Sequence, residues 1–173
     1  MSLMEVLSSD YIIDSIVPYT NTVLDPIKSY LWIWHADKIP PHIGISTNEA
    51  YFSLKSSGKD IALPVSSVIT LIERKQIKTL VVELKDEIPI SSIDSIFYAY
   101  QNAEENKSTC LTPIKEILNR PTPTKLEYLL TELASDNQIE RYIGFNLGDS
   151  FKGIPFYTEE DIQHRLALLA ANV

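Results

Sequence analysis

Cysteine is the scarcest residue in this chain, with one copy, Cys110, among 173 residues. A single thiol excludes an internal disulfide framework and any zinc site built on paired cysteines. Histidine occurs three times and glycine five times, which leaves few acid–base or metal-binding combinations and few residues for tight catalytic turns. Any chemistry that needs a thiol therefore depends on Cys110.

Positive charge is also in short supply, because 15 Lys and Arg face 23 Asp and Glu, for a net charge of -8. Affinity for nucleic acid comes largely from cations that neutralise phosphates, so we do not expect nucleic acid as the main ligand. The chain has no apolar run of about 20 residues and no charged segment followed by an apolar one near its start, which predicts neither a membrane span nor a signal peptide. A cytoplasmic location is the default expectation.

The length and the 45% hydrophobic content predict a single domain. Folding should bury about 70% of the surface that an unfolded chain of this size exposes, which is enough for a core without metal or disulfide support. We expect the domain to cover residues 4–173, because residues 1–3 are typical of a short expression remnant. No cofactor is expected, and the oligomeric state stays open.

Hydrophobic periodicity predicts strands mainly in the first half of the chain and helices mainly in the second. Predicted strands cover 29–34, 42–46, 51–54, 79–84 and 142–146, and predicted helices cover 10–17, 64–75, 90–103, 109–118, 124–133 and 158–169. Residues 56–60 are predicted to form a loop. With little regular βαβ alternation, this order favours an α+β fold: a small, mostly antiparallel sheet packed by helices, with a helical C-terminal part over 124–173.

Two helix starts carry capping signals. Thr124 with Glu127 forms one predicted capping box, and Thr158 followed by three acidic residues forms another strong start. In the strand over 29–34, Trp32 and Trp34 should share one face. We expect that face to be covered by core, and the alternative is an aromatic patch that binds a partner.

Cys110 lies where a polar loop runs into a helix, and a helix start can stabilise a thiolate. His42 is the better candidate for a base, because it follows two prolines at the mouth of a strand where Gly44 leaves room for a close neighbour. The structural alternative is that Cys110 is a small buried hydrophobe and His42 a strand-end residue. Free cysteines are among the residues most often buried.

The string His42-Ile-Gly-Ile-Ser46, its hairpin partner 51–54 and a downstream Cys that opens a helix together resemble the circularly permuted papain-like proteins. This group includes the NlpC-type permuted hydrolases and the lecithin retinol acyltransferase-like enzymes. The resemblance covers about residues 29–118 and implies that Cys110 is the nucleophile and His42 the base. It also implies thiol-based hydrolysis or acyl transfer on amide or ester substrates.

Family members usually have a further polar group that orients the histidine. In this chain the partner strand offers Ser53 or Tyr51 for that role, without a carboxylate or second histidine at that place. Ser53 is therefore the third predicted site residue, beside Cys110 and His42. An imidazole without a fixed tautomer is a poorer base.

Other motifs fit established chemistry less well. Gly58-Lys59 matches only part of a phosphate loop, and a solvated turn is the better interpretation. His35, Asp37 and His42 could supply metal ligands, but they meet no ligand spacing, and strand-end and loop roles explain them about as well. His164 is expected to be solvated on the final helix.

Two functions from different classes follow from the sequence. The first is a cysteine-dependent hydrolase or acyltransferase that acts on an amide or ester bond. The second is a non-enzymatic binding or scaffold domain. The ligand could be a small molecule, a peptide or a protein.

Overall fold

A computed structural model describes residues 11–172, which form nine strands and five helices. The strands are β1 (Tyr11–Ile12), β2 (Val17–Pro18), β3 (Ser29–Trp34), β4 (His42–Thr47), β5 (Ala50–Lys55), β6 (Gly58–Pro64), β7 (Thr79–Leu84), β8 (Ile139–Phe145) and β9 (Gly153–Ile154). The helices are α1 (Val65–Arg74), α2 (Ile90–Tyr98), α3 (Leu111–Ile117), α4 (Leu126–Ser135) and α5 (Glu159–Ala171). None of these described helices is long and apolar enough to cross a membrane.

Seven strands form one sheet in the order β2-β8-β7-β3-β4-β5-β6. All neighbouring pairs are antiparallel except the short β2–β8 pair, which is parallel. β1 and β9 form a separate antiparallel pair. The mostly antiparallel sheet and the helices packed on it confirm the predicted α+β class.

The central strand β3 separates two hydrophobic clusters because successive side chains point to opposite faces of the sheet. Leu31 and Ile33 join the larger cluster, which contains the buried residues of α2 to α5. Trp32 joins the smaller cluster on the other face, together with Val68 and Ile72 of α1. Trp32 is fully buried, so the predicted covering of both faces is confirmed.

The predicted hairpin is formed by β4 and β5, which are joined by the two-residue turn Asn48-Glu49. Both turn residues have positive φ, 48° and 64°, as a turn that follows the right-handed twist of the strands requires. The hairpin places the turn at one end of the sheet. The start of β4, with His42, and the end of β5, with Lys55, therefore lie together at the opposite end.

The predicted first helix is wrong within the described residues. Residues 11–12 pair with β9 and residues 17–18 pair with β8, so the segment is two short strands; Asp10, the expected cap, lies outside the described residues. The apolar residues of this segment include Ile12, Ile13 and Ile16, whose branched side chains favour extended backbone. Partners more than 120 residues away decide its structure.

The loop predicted over 56–60 is also wrong, because only Ser56 and Ser57 form a turn and Gly58 begins β6. β6 is an edge strand whose last four residues are exposed. Its pairing with β5 shifts register between Tyr51 and Ser53, and Ala62 has a φ of 50°. Polar residues and an irregular register are common devices on sheet edges, and they hide the strand pattern.

Tertiary contacts also change two helix ends. α4 begins after Lys125 rather than at a Thr124 capping box, because the Tyr157 hydroxyl accepts the Leu126 N–H at 2.9 Å. α2 ends at Tyr98 rather than near residue 103, where Lys59 Nζ from β6 donates to the carbonyls of residues 97, 98 and 100. A cation that binds terminal carbonyls stabilises a helix end. The predicted start of α5 is confirmed, with a capping box between Thr158 and Asp161.

Candidate functional site

A pocket of about 610 Å³ lies at the end of the sheet opposite the Asn48-Glu49 turn. We call it the Cys110 pocket. Its walls come from the ends of β3 and β5, the start of β4, the start of α3 and one side of α5. The lining residues are Trp34, His35, Lys38, Ile39, Pro40, Pro41, His42, Ile43, Leu54, Lys55, Ser56, Ser57, Ala103, Thr109, Cys110, Leu111, Tyr157, Ile162, Arg165, Leu166 and Leu169. Its volume is in the range of small-molecule sites.

Cys110 immediately precedes α3 and is partly buried against the larger hydrophobic cluster. Burial raises the pKa of its thiol to about 11, because a thiolate loses solvation there. The backbone N–H groups of Ile43, Cys110 and Leu111 oppose this rise. The sulfur therefore lies close to the backbone N–H of Ile43 on β4, whereas the side chain of His42, which pairs with Trp34, is on the sheet face of the smaller cluster.

His42 is the first residue of β4 and pairs with Trp34 of β3. Burial lowers the pKa of its imidazole to about 4, and the charges of Lys55 and His35 add to this effect. The Asp60 carboxylate opposes it. His42 is therefore neutral at pH 7, which is the form that can accept a proton.

The fold brings Cys110 and His42, two of the three predicted site residues, to the wall of one pocket. The hydrogen bonds of the described residues do not include one between the thiol and the imidazole. The third residue, Ser53, is buried on β5 opposite Gly44. Its Oγ donates to Asp60 Oδ2 at 2.8 Å, so its described hydrogen bond goes to a carboxylate rather than to His42.

Asp60 is the acidic residue near the histidine that sequence reasoning missed. The sequence pattern predicts a loop at its position, whereas β6 places it directly across from Ser53. Lys55 Nζ donates to its other oxygen at 2.8 Å, and its charge acts on His42. Residues 58–63 do not alternate between polar and apolar, and the serines and glycine before Asp60 resemble a turn, so the sequence carries no clear strand signal here.

Gly44 allows a close neighbour at the start of β4, and the neighbour is Tyr51. A Cβ at position 44 would overlap the Tyr51 ring and hydroxyl. The Tyr51 hydroxyl accepts a hydrogen bond from Trp34 Nε1 at 2.7 Å, and burial raises its pKa far above the usual value. Tyr51 is therefore a neutral, fixed side chain and a buried member of the smaller hydrophobic cluster.

Tyr157 and α5 form a wall that the sequence did not predict. Tyr157 is buried, and its backbone carbonyl accepts a hydrogen bond from Lys125 Nζ at 2.8 Å. α5 contributes Ile162, Leu166 and Leu169 to the lining. The C-terminal part of the chain thus completes the pocket that the sheet begins.

A second pocket, of about 590 Å³, lies where residues 13–19 meet the chain after β8. We call it the Tyr19 pocket. Tyr19 stacks on Phe145 with ring centroids 4.1 Å apart. The charged residues that line it are Asp14, Glu73, Asp149 and Lys152. Burial and the charge of Glu73 raise the pKa of Tyr19.

The remaining sequence candidates have ordinary surroundings. His35 and Asp37 are exposed, and Asp37 pairs with Lys78 at 3.6 Å. Among residues 11–172, no group of three or more His, Cys, Asp or Glu could hold a metal ion. Gly58-Lys59 belongs to β6 rather than to a phosphate loop, and His164 is exposed on α5, as expected.

Comparisons of the chain with protein-family models, with curated proteins and with solved structures found no match. Any function proposed for the chain must therefore be supported by the geometry of the Cys110 pocket.

Proposed function

We propose that the chain is a cysteine-dependent hydrolase or acyltransferase that acts on an ester or amide bond. The observation that supports this proposal is the shared pocket: the only cysteine and a neutral, partly buried histidine line the same cavity. The backbone N–H of the residue next to that histidine acts on the thiol. The remote resemblance to permuted papain-like proteins is consistent with the same pair.

In the proposed reaction, Cys110 Sγ attacks the carbonyl carbon while His42 accepts the thiol proton. The tetrahedral adduct then collapses, the C–O or C–N bond breaks, and protonated His42 returns the proton to the leaving group. The thioester left on Sγ reacts with water in a hydrolase, or with a hydroxyl or amine in an acyltransferase. His42 accepts the proton of that second nucleophile and returns it to Cys110 Sγ as the C–S bond breaks.

The resting pair is uncharged in this proposal. The thiol pKa of about 11 keeps Cys110 protonated near pH 7, and the imidazole pKa of about 4 keeps His42 neutral. Proton transfer must therefore accompany the attack, rather than precede it as a preformed ion pair. Catalytic hydrogen bonds are often long without substrate and shorten in the complex, which is consistent with the absence of a thiol–imidazole bond among the described contacts.

The second candidate function is a binding domain that uses the Cys110 pocket without chemistry. The raised thiol pKa favours this candidate, because an activated nucleophile usually has a lowered one. In that case Cys110 is an apolar lining residue. The two functions differ in whether a covalent bond forms on Cys110.

The deciding experiment treats the folded protein near neutral pH with an activated ester, 4-nitrophenyl acetate, and follows the mass of the intact chain. The proposal requires one acyl group per chain, located on Cys110, and its loss in the Cys110→Ala variant. Ser95→Ala is the matched control, because Ser95 is exposed on α2, outside the pocket. It should acylate at the native rate.

The free energies of unfolding of the native protein, Cys110→Ala and Ser95→Ala must agree within about 1 kcal/mol, so that loss of the fold is not mistaken for loss of the nucleophile. An enzyme should also react with iodoacetamide at Cys110 in the folded state. Resistance to both reagents, with the rate rising only on denaturation, would identify an unactivated thiol. That result would support the binding-domain function and contradict the enzyme function.

A further inference from the structure

The charged residues that line the Cys110 pocket have one sign. They are Lys38, Lys55 and Arg165, and no described Asp or Glu lines the pocket. This concentration of cations stands out in a chain with a net charge of -8. A cleft lined by one sign of charge attracts ligands of the other sign.

Two of these cations are available to a ligand. Lys55 is held by Asp60, whereas Lys38 and Arg165 have no ion pair with a carboxylate of residues 11–172. Both are exposed at the rim of the pocket. Both charges also act on His35, whose pKa is lowered first by partial burial and then by Lys38 and Arg165, while the Asp37 carboxylate opposes this shift. The two cations therefore lie near one side chain, on one side of the pocket.

The rest of the lining is mainly apolar. Leu54 lines the pocket from β5, Ile39 from the segment between β3 and β4, and Tyr157, Leu166 and Leu169 from the C-terminal wall. A ligand that fills this space removes apolar surface from water, which contributes roughly 25 cal/mol for each Å². The pocket thus combines an apolar interior with a cationic rim.

We propose that the Cys110 pocket binds an acyl compound with an apolar body and one anionic group, a carboxylate or a phosphate, held by Lys38 and Arg165. That the ligand is an acyl compound rests on the proposed function, whereas binding of an anionic amphiphile requires no reaction. Lys38 and Arg165 are specificity-determining residues in this proposal. The reacting carbonyl lies at Cys110, and the anion lies at the rim.

Calorimetric titration of the Cys110→Ala protein tests the recognition separately from the chemistry. The probes are octanoate, octyl phosphate and the uncharged octanamide. Either anion should bind at least tenfold more tightly than octanamide, and the tighter of the two identifies the anionic group. A Lys38→Met, Arg165→Met double substitution should lower the affinity for that anion about tenfold, since each exposed ion pair accounts for about a twofold to fivefold change in affinity.

The matched control replaces two exposed cations elsewhere, Arg74→Met with Lys152→Met, and should leave anion affinity within twofold. Equal affinity for octanamide and both anions, no binding of any probe, or an unchanged affinity in the first double variant would each overturn the proposal. If an anion binds as described but the native protein is not acylated by the activated ester, the proposed reaction is contradicted and the proposed recognition of an anionic amphiphile stands. If Cys110 is acylated but the anions do not bind, the proposed ligand class is contradicted and the proposed reaction stands.

Discussion

The Cys110 pocket and the Tyr19 pocket have nearly the same volume, about 610 Å³ and 590 Å³, but opposite charges line them. The first has Lys38, Lys55 and Arg165 without a described carboxylate, and the second has three carboxylates and one lysine. The Cys110 pocket also contains the thiol and a buried imidazole. The Tyr19 pocket is lined by neither cysteine nor histidine.

This difference teaches that cavity size alone does not identify a functional site. A site needs groups that can form bonds or transfer protons, held where burial changes their pKa. In the Cys110 pocket, burial moves the pKa of the thiol to about 11 and that of the imidazole to about 4, and these are groups that can form a covalent bond or accept a proton. In the Tyr19 pocket, burial and Glu73 raise the pKa of a tyrosine that is already neutral at that pH.

The largest effect should come from His42→Gln in the Cys110 pocket. A general base contributes about 10² to 10⁴ in rate, so acylation of Cys110 near pH 7 should slow by at least about 100-fold. Because only neutral His42 accepts a proton, the native rate should stay nearly constant between pH 5 and 7 and fall as pH drops through about 4. In the variant only the thiolate reacts, so the rate should rise about tenfold for each pH unit over that range.

Rates of acylation measured by mass spectrometry against pH check this prediction. The matched variant in the other pocket is Asp149→Asn, at an exposed residue that lines the Tyr19 pocket. It should keep the native profile. A native midpoint near the ordinary histidine value of about 6.5 would contradict the lowered pKa of His42, and equal profiles for the native protein and His42→Gln would contradict its role as the base.

A smaller effect should separate two glycines: Gly44, which follows His42 on β4, and Gly148, which lines the Tyr19 pocket. A methyl group at Gly44 would overlap the Tyr51 ring, whereas one at Gly148 would meet only Ser150 Oγ, at 3.8 Å. Overpacking of this kind typically costs about 1–3 kcal/mol. We therefore expect Gly44→Ala to lower the free energy of unfolding by that amount and Gly148→Ala to change it by about 0.5 kcal/mol or less.

Urea unfolding of both variants and the native protein measures the difference. Tyr51→Phe combined with Gly44→Ala sharpens it, because the phenylalanine ring lacks the hydroxyl that overlaps the added Cβ most closely. The double variant should regain part of the loss relative to Tyr51→Phe alone. Equal stabilities for the two glycine variants would show that the Tyr51 ring moves away freely.

The smallest effect should be on two pKa values, one for each pocket, because charges of opposite sign line the two pockets. Lys38 and Arg165 lower the pKa of His35, after burial, so Arg165→Gln should raise that pKa. Glu73 raises the pKa of Tyr19, after burial, so Glu73→Gln should lower it. NMR titrations of the labelled histidine and tyrosine check both directions, and 1 M salt should reduce each change. Shifts of the same sign would show that the two pockets do not differ in field.

The parts of the fold that sequence predicted correctly are those whose signals are local. β3 is a continuous run of apolar and aromatic residues, α1 has a clear helical period, and the Thr158 capping box is complete within four residues. The parts that it missed depend on distant partners. Residues 11–18 are extended because β8 and β9 pair with them, and α4 begins where Tyr157 accepts its first N–H.

The candidate site divides in the same way. Cys110 and His42 could be proposed from their local contexts, and the fold places them on one pocket wall. Asp60 could not, because its strand pattern is hidden on an irregular edge. Arg165 and Lys38 lie 127 positions apart in the printed sequence, and only the packing of α5 across the strand ends brings both to the rim.

Tyr157 has a further consequence for the thermodynamics of ligand binding. Its carbonyl is bound by Lys125, and its hydroxyl is bound by the first amide of α4, so this part of the wall is ordered before any ligand arrives. A preorganised wall loses little conformational entropy when a ligand packs on it. The entropic cost of association should therefore fall mainly on the ligand itself and on the exposed side chains at the rim.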